Sequence, residues 1–403
     1  MSPDAGPRRD LLILYAAILA SRVGFGVIII IFPSYIKGVS DIAAALALAA
    51  YPIFEAGAAI PMGRFCDTGG RKRIFVVSLG FMAIMMVFVG LTNNIYAVAT
   101  VHALMGIGAA GVTVSTLTMI TDLTRETNRG TGMGAFDFVN VGGYAIGLLL
   151  GTIMDSVFKA NLSLAFFSTS VIVASAFLVG AIVIVEPLHQ RSASGWTTDL
   201  NPFRSMDARA KVIIPIWLGV TILLGMVFFL PRAFERVGLA GGTTGGILLA
   251  GVFILGVGSI GFGALSDTVG RTKVLLVGVA GMMGLLISLS FSFNSGVGGL
   301  YRNLPVISVF ALATSALVPT ILATVGDKAL LERRGSMMGL YSVMLSGGTA
   351  IGTLVAGTVH HISGLTGILE TGSVIFALAC LLSFILWLFL RGRMDTKAMI
   401  LQK

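Results

Sequence analysis

Apolar runs of about 20 residues with at most one charge each recur along the whole chain, and they leave it few structures to adopt. Wound as a helix at about 1.5 Å per residue, such a run crosses the ~30 Å hydrocarbon core of a bilayer. The runs cover residues 11–36, 42–62, 74–92, 95–121, 130–154, 162–185, 212–231, 245–263, 274–293, 304–326, 335–359 and 368–390. Numbered in chain order, they predict an all-α membrane protein of twelve spans. The composition agrees: charged residues make up 11% of the 403 and mean hydropathy is +0.96. Soluble domains carry about 25% charged residues, and this chain has too little polar surface to cover a globule. Soluble enzyme, disordered protein and disulfide scaffold are excluded on that ground. Cys66 lies in a basic stretch and Cys380 in an apolar run, so no disulfide is expected, and no metal or haem spacing occurs. Neither a metal nor a cofactor is expected. Arg8 and Arg9 precede a first run too long for a signal h-region, which reads as an uncleaved first span.

The net charge of +9 comes from 27 Lys and Arg against 18 Asp and Glu. Its placement argues for topology, not for nucleic acid. Arg22 is inside a span, and only Lys37, Lys159, Arg232, Arg236 and Arg302 lie on the even-to-odd side. All the other basic residues fall on the face that holds both termini. The positive-inside rule makes that face cytoplasmic, in a multi-pass plasma-membrane protein, with some attraction to anionic lipid. The expected layout is a cytoplasmic tail (1–10), a six-helix bundle (11–185), a polar linker (186–211), a second bundle (212–390) and a cytoplasmic tail (391–403). The linker contains Pro187, Gly195 and Pro202. No feature asks for a nucleic-acid partner, and the chain reads as a monomer.

The two halves repeat each other. After span 2 come Gly63, Asp67, Gly70 and Arg71; after span 8 come Gly263, Asp267, Gly270 and Arg271, each at an offset of 200. Before spans 5 and 11 the chain has Asp122 with Arg129-Gly130, and Asp327 with Arg334-Gly335, at an offset of 205. That second register also aligns Gly142-Gly143 with Gly347-Gly348 and Gly147 with Gly352. Charged loop positions that hold register indicate duplication rather than chance likeness between apolar helices.

This doubled G-x-x-x-D-x-x-G-R on two six-span halves resembles the major facilitator superfamily, over essentially all of residues 10–392. The resemblance implies two pseudo-symmetric six-helix bundles that rock about a central cavity lined by spans 1, 4, 7 and 10. It also implies that Asp67 lies near Gly335 and Ser336, across the bundle interface. Physically, glycines at 70 and 270 permit a tight turn, and a carboxylate can approach the positive N-terminus of another helix. Arg71, Lys72 and Arg73 can pair with Asp122 or Glu126. Contacts of this kind, made in one state and broken in another, would latch a gate, with Asp122, Arg129, Asp327 and Arg334 as partners.

Charges in hydrocarbon are costly and mark pathways. Away from the span ends, four groups of this kind lie inside the spans, all in the N-terminal half: Arg22, Glu55, His102 and Asp137. At about 1.5 Å per residue, Arg22, Glu55 and Asp137 lie roughly 16, 12 and 10 Å from the cytoplasmic side, so they can share one layer. Arg22 cannot be buried unpaired, and Glu55 is its expected partner and the expected titrating member. Asp137 is expected to find a partner on span 2 or span 4. His102 stands where the superfamily's span-4 motif has an arginine, followed by Gly106 and Gly108. An imidazole there can itself carry a proton. Span 5 resembles the glycine-rich motif of drug–proton antiporters, but Tyr144 follows Gly143 where that motif has proline. Glycines 143, 147 and 151 then serve close helix packing. In the C-terminal half, Thr221, Met226, Phe228, Thr314, Ser315 and Thr320 offer a mostly apolar wall, with Pro215, Pro231 and Pro319 as kink points.

The expectation is a secondary transporter of a small organic solute, proton-coupled and drug-efflux-like, working by alternating access. Uptake or exchange of an organic anion held by Arg22 is the alternative, and a non-transporting sensor on the same scaffold a minor one. No catalytic constellation appears in the spans, so an enzyme is not expected.

Overall fold

A computed structural model describes residues 5–35, 41–92, 94–125, 127–158, 161, 163–186, 208–227, 230, 241–294, 296–327 and 334–400. The described elements are all helical: α1 (Ala5–Tyr35), α2 (Asp41–Gly69), α3 (Arg71–Leu91), α4 (Ile95–Leu123), α5 (Arg129–Val157) and α6 (Ser163–Val183). The second half holds α7 (Ala208–Val227), α8 (Gly241–Val269), α9 (Arg271–Asn294), α10 (Gly296–Thr314), α11 (Leu317–Asp327) and α12 (Arg334–Ile400). Spans 1–9 correspond to α1–α9. Span 10 is divided into α10 and α11. Spans 11 and 12 are the two arms of α12, separated at Gly364, whose φ of 64° no helix contains. Most of the linker, with Pro187, Gly195 and Pro202, lies outside the described residues, as do Phe228 and Pro231.

Two local differences from the sequence reading have clear causes. The stretch after span 2 is not an extended loop: α2 continues through Asp67 to Gly69, and α3 begins at Arg71. Gly70 alone breaks the helix, at φ 101°, and Gly270 repeats this at φ 105°. A single residue with positive φ turns the chain, which glycine alone does without strain. The break in span 10 falls at Ser315 and Ala316. Pro319 has no N–H to give the carbonyl of Ser315, so the turn closes with shorter bonds instead. Ser315 N is shared between Ala311 O and Leu312 O, and Ala316 N donates to Ala313 O, all at 3.2 Å.

Within the N-terminal half, α1 packs on α5 and α6, α2 on α4, and α3 on α4 and α6. Phe75, Leu79, Met82, Met86 and Phe166 fill its core. Glycines set the closest approaches. Gly143 and Gly147 of α5 lie against α1 at Arg22, Val23 and Gly26. Gly348 and Gly352 repeat this contact against Thr221, Ile222 and Gly225 of α7. The packing role expected for the span-5 glycines thus appears in both halves. Between the halves, α2 meets α12 and α5 meets α8.

Candidate functional site

At the end of the molecule that carries the motifs, each half grips the other through a carboxylate. Asp67, in the last turn of α2, accepts from Gly335 N at 2.8 Å, Ser336 N at 2.9 Å and Ser336 Oγ at 2.8 Å. Asp267 of α8 accepts from Gly130 N at 2.9 Å, Thr131 N at 2.9 Å and Thr131 Oγ1 at 2.8 Å. Amides in the first turn of a helix have no partner of their own, and they lie at the positive end of its dipole. The carboxylates satisfy both needs. Backbones must touch for this reach: Gly63 and Gly335 face each other's carbonyls, as do Gly130 and Gly263.

Arginines brace the carboxylates. Arg71 donates to Asp122 at 3.0 Å and to Cys66 O at 3.2 Å. Arg271 donates to Asp327 at 3.1 Å and to Asp267 at 2.6 Å. Arg129 reaches Asp327 across the halves at 2.7 Å. Of the two expected partners of Arg71, Asp122 is met and Glu126 lies outside the described residues, as does the side chain of Arg334. Sequence reasoning missed Glu186. Its carboxylate caps α3, accepting from Arg71 N at 2.6 Å and Lys72 N at 2.9 Å, because Gly70 has no side chain to do so. Ser336 is met as the resemblance implied, but Thr131 was missed, although the 205 offset that pairs Gly130 with Gly335 pairs these two hydroxyls as well.

Deeper in the spans lie the four ionisable groups, each at most 8% exposed, so protein must take the place of water around them. Arg22 and Glu55 come together through Thr113 of α4. Arg22 Nη2 donates to Thr113 Oγ1 at 3.0 Å, and that hydroxyl donates to Glu55 Oε1 at 3.2 Å. Tyr144 takes a 3.4 Å bond from Arg22 Nη1 and presents its ring at 5.7 Å. The tyrosine that replaces the antiporter motif's proline is therefore a neighbour of the buried arginine. Gly106 lets α4 seat on α2 at Tyr51 and Glu55, which fixes the carboxylate's position. His102 stacks on Tyr51, with ring centroids 5.1 Å apart. From the other half, Ser346 of α12 approaches Glu55 without forming a well-directed hydrogen bond.

Asp137 does not join that layer. In place of the expected partner on span 2 or 4, residues of the opposite half lie near it: Ser259 of α8, whose hydroxyl donates to Gly256 O at 2.8 Å and Gly134 O at 3.3 Å, and Tyr341 of α12, which lies within range of its charge. Tyr341 stacks on Trp217 at 4.5 Å. The reason is rotational: the α5 glycines that face α1 leave Asp137 on the α8 side of the helix. On the C-terminal wall, Thr221 donates to Met344 O at 3.0 Å, and Thr314 and Ser315 donate within α10. Ile213, Trp217, Met337, Tyr341 and Met344 line a small apolar pocket between α7, α11 and α12.

Between the halves α5 and α8 are in direct contact near the motif-bearing end: Gly134 lies on the Ser259 carbonyl, and Gly256 on the Phe138 ring at 3.1 Å.

A family model described as "Major Facilitator Superfamily" matches residues 13–329. The chain is 25% identical over 363 residues to an uncharacterised MFS-type transporter, YuxJ, of Bacillus subtilis, covering 83% of this chain and 85% of that protein. It is 24% identical over 329 residues to the multidrug resistance protein MdtG of Proteus mirabilis, covering 78% and 80%. Among solved structures, the human organic anion transporter MFSD10 aligns at a TM-score of 0.79 and 16% identity, over 95% of this chain and all of that one. At that identity the likeness is one of fold.

Proposed function

Because the chain belongs to the major facilitator superfamily, and is thereby a multi-pass membrane transporter, we propose that it exports a small organic solute against protons by alternating access of its halves. One observation carries the reading: the buried Arg22–Thr113–Glu55 chain, with Ser346 of the other half facing its carboxylate. A guanidinium keeps its charge, so the carboxylate is the member that can change. With the halves closed, Glu55 balances Arg22 through Thr113. When they part, Ser346 withdraws and water reaches the pair, which alters the cost of its ionised form. A proton taken up on one side and released on the other is then tied to the direction of rocking. His102, stacked on Tyr51 beside Glu55, is the second titratable group on this path. Export of drug-like solutes is supported by the likeness to MdtG.

A second reading, exchange or uptake of an organic anion, is favoured by Arg22 itself, because an anionic solute can replace Glu55 as its counter-charge. Proteoliposomes under an imposed pH gradient, offered cationic, neutral and anionic fluorescent dyes, test both. Glu55→Gln should abolish pH-driven dye flux while dye binding persists, and unchanged flux would sink the coupling role. Arg22→Ala should weaken anionic dyes selectively if the second reading holds. Equal loss across the panel would leave Arg22 a structural role only.

A further inference from the structure

We infer that the small apolar pocket between α7, α11 and α12 is a binding site for a compact, uncharged aromatic ring, apart from the Arg22–Glu55 cluster. The inference rests neither on proton coupling nor on the direction of transport. Two observations meet in it: the chemistry of the walls, and what the other half holds in the same place.

Ile214 and Trp217 of α7, Ile321 and Val325 of α11, and Met337 and Tyr341 of α12 are among the residues that line the pocket. None of its described lining residues is charged. Trp217 stacks on Tyr341 with ring centroids 4.5 Å apart, and its indole N–H is directed to Tyr341 O at 3.5 Å. The aromatic wall therefore offers ring surface and asks a guest for no polar partner. Met337 and Met344 are unbranched thioethers that can swing aside to admit a guest, and their sulfur favours aromatic contact. A charged guest would lose its water here and find no counter-charge among these side chains, which selects against it.

The duplication indicates the shape that fits. Gly147 of α5 lies on Val23 O and Gly26 of α1, and Gly352 of α12 lies on Ile222 O and Gly225 of α7. Val23 with Ile222 and Gly26 with Gly225, both at an offset of 199, set the register between α1 and α7. In that register Ile214 corresponds to Tyr15. At the offset of 205, Val325 and Met337 correspond to Ile120 and Gly132. In the N-terminal half Tyr15 packs against the core and its hydroxyl donates to Gly132 O at 2.8 Å. A Cβ at Gly132 would meet Ile120, Thr124 and that hydroxyl. The N-terminal half thus fills this place with a ring of its own. The C-terminal half has isoleucine for the tyrosine and an adaptable methionine for the glycine, and it keeps a pocket. A guest the size of a phenol ring would restore what Tyr15 supplies. Met337 follows Ser336, whose amide and hydroxyl hold Asp67, so the guest would lie against the helix turn that closes the α2–α12 clasp.

The test uses full-length protein in nanodiscs with Trp196→Phe and Trp387→Phe, which leaves Trp217 as the one tryptophan of three. Nitrobenzene, a ring-sized quencher of indole emission, is the titrant. Trp217 emission should fall along a saturating curve. A variant that keeps only Trp387, which is 38% exposed, should instead show the linear loss of collisional quenching. p-Cresol, the tyrosine side chain on its own, should compete for the saturable part. Ile214→Tyr with Met337→Gly rebuilds the N-terminal pair and should weaken that part about tenfold or more. Val325→Ala, a milder change that widens the pocket, should tighten binding of the larger 1-nitronaphthalene about tenfold. A linear Trp217 curve in the parent overturns the inference. So does a saturating curve that p-cresol leaves intact, or one that neither set of substitutions moves.

Discussion

A guanidinium has no neutral form to retreat into, so Arg22 dictates what its neighbours must be. At 5% exposure it needs acceptors within reach, and it finds them in Thr113 and Tyr144, with Glu55 one hydroxyl further on. Hydrogen bonds to charged groups contribute about 1.5–3 kcal/mol. Thr113→Val is therefore expected to lower pH-driven dye flux about tenfold or more. Thr113→Ser should keep most of it, which separates the hydroxyl from the shape of the side chain. Gly70 is a second residue with little freedom. At φ 101° and ψ 140° it occupies a region that costs other residues about 1–3 kcal/mol, and an added Cβ would lie 3.1 Å from Glu186. Gly70→Ala should lower the thermal unfolding midpoint in detergent, with Gly69→Ala, at an open helical site, as the comparison. The sequence singled out Arg22 and Glu55 because charge in the spans is rare. It left Thr113 unseen because hydroxyls in apolar helices are common and most bond back to their own helix.

Helix ends carry the contacts that join the halves. Asp67 and Asp267 each close the first turn of a helix from the other half, and both clasps are built from a carboxylate, two amides and a hydroxyl. A charge at a helix N-terminus contributes about 1 kcal/mol, so Asp67→Asn should shift the closed-to-open ratio about fivefold toward open. Labelling of single-cysteine probes at the motif-bearing end should rise accordingly; an unchanged rate would show that Asp67 only shapes a turn. The superfamily resemblance made the partner helix end of Asp67 legible in advance. The helical state of Gly63–Gly69 was not, because a glycine-rich stretch with charges reads as loop until it is packed. The break between α10 and α11 belongs to the same scale. Pro319→Ala would restore the missing N–H and should lengthen amide-exchange protection across Ser315 and Ala316.

At the scale of the whole molecule the two clasps act on one equilibrium. They lie on different helix pairs, α2 with α12 and α5 with α8, and their carboxylates bind different helix ends. Effects at separate sites add, so Asp67→Asn with Asp267→Asn should open the motif-bearing end by about the product of the single fold-changes. A double variant no more labelled than either single one would mean that one clasp alone holds the closed form. The sequence by itself determined the number of crossings, the duplication and the scarcity of intramembrane charge, because these follow from hydropathy and from spacing along one chain. Only the tertiary structure decided where each charge looks. Glu55 turned to Thr113 and Arg22 inside its own half, while Asp137 lies near Ser259 and Tyr341 of the other. Two carboxylates at similar depth in similar helices acquire different surroundings through helix rotation, which is set by the glycine contacts of α5 with α1 and of α4 with α2. Such contacts depend on which helices are neighbours, and a one-dimensional pattern does not contain that.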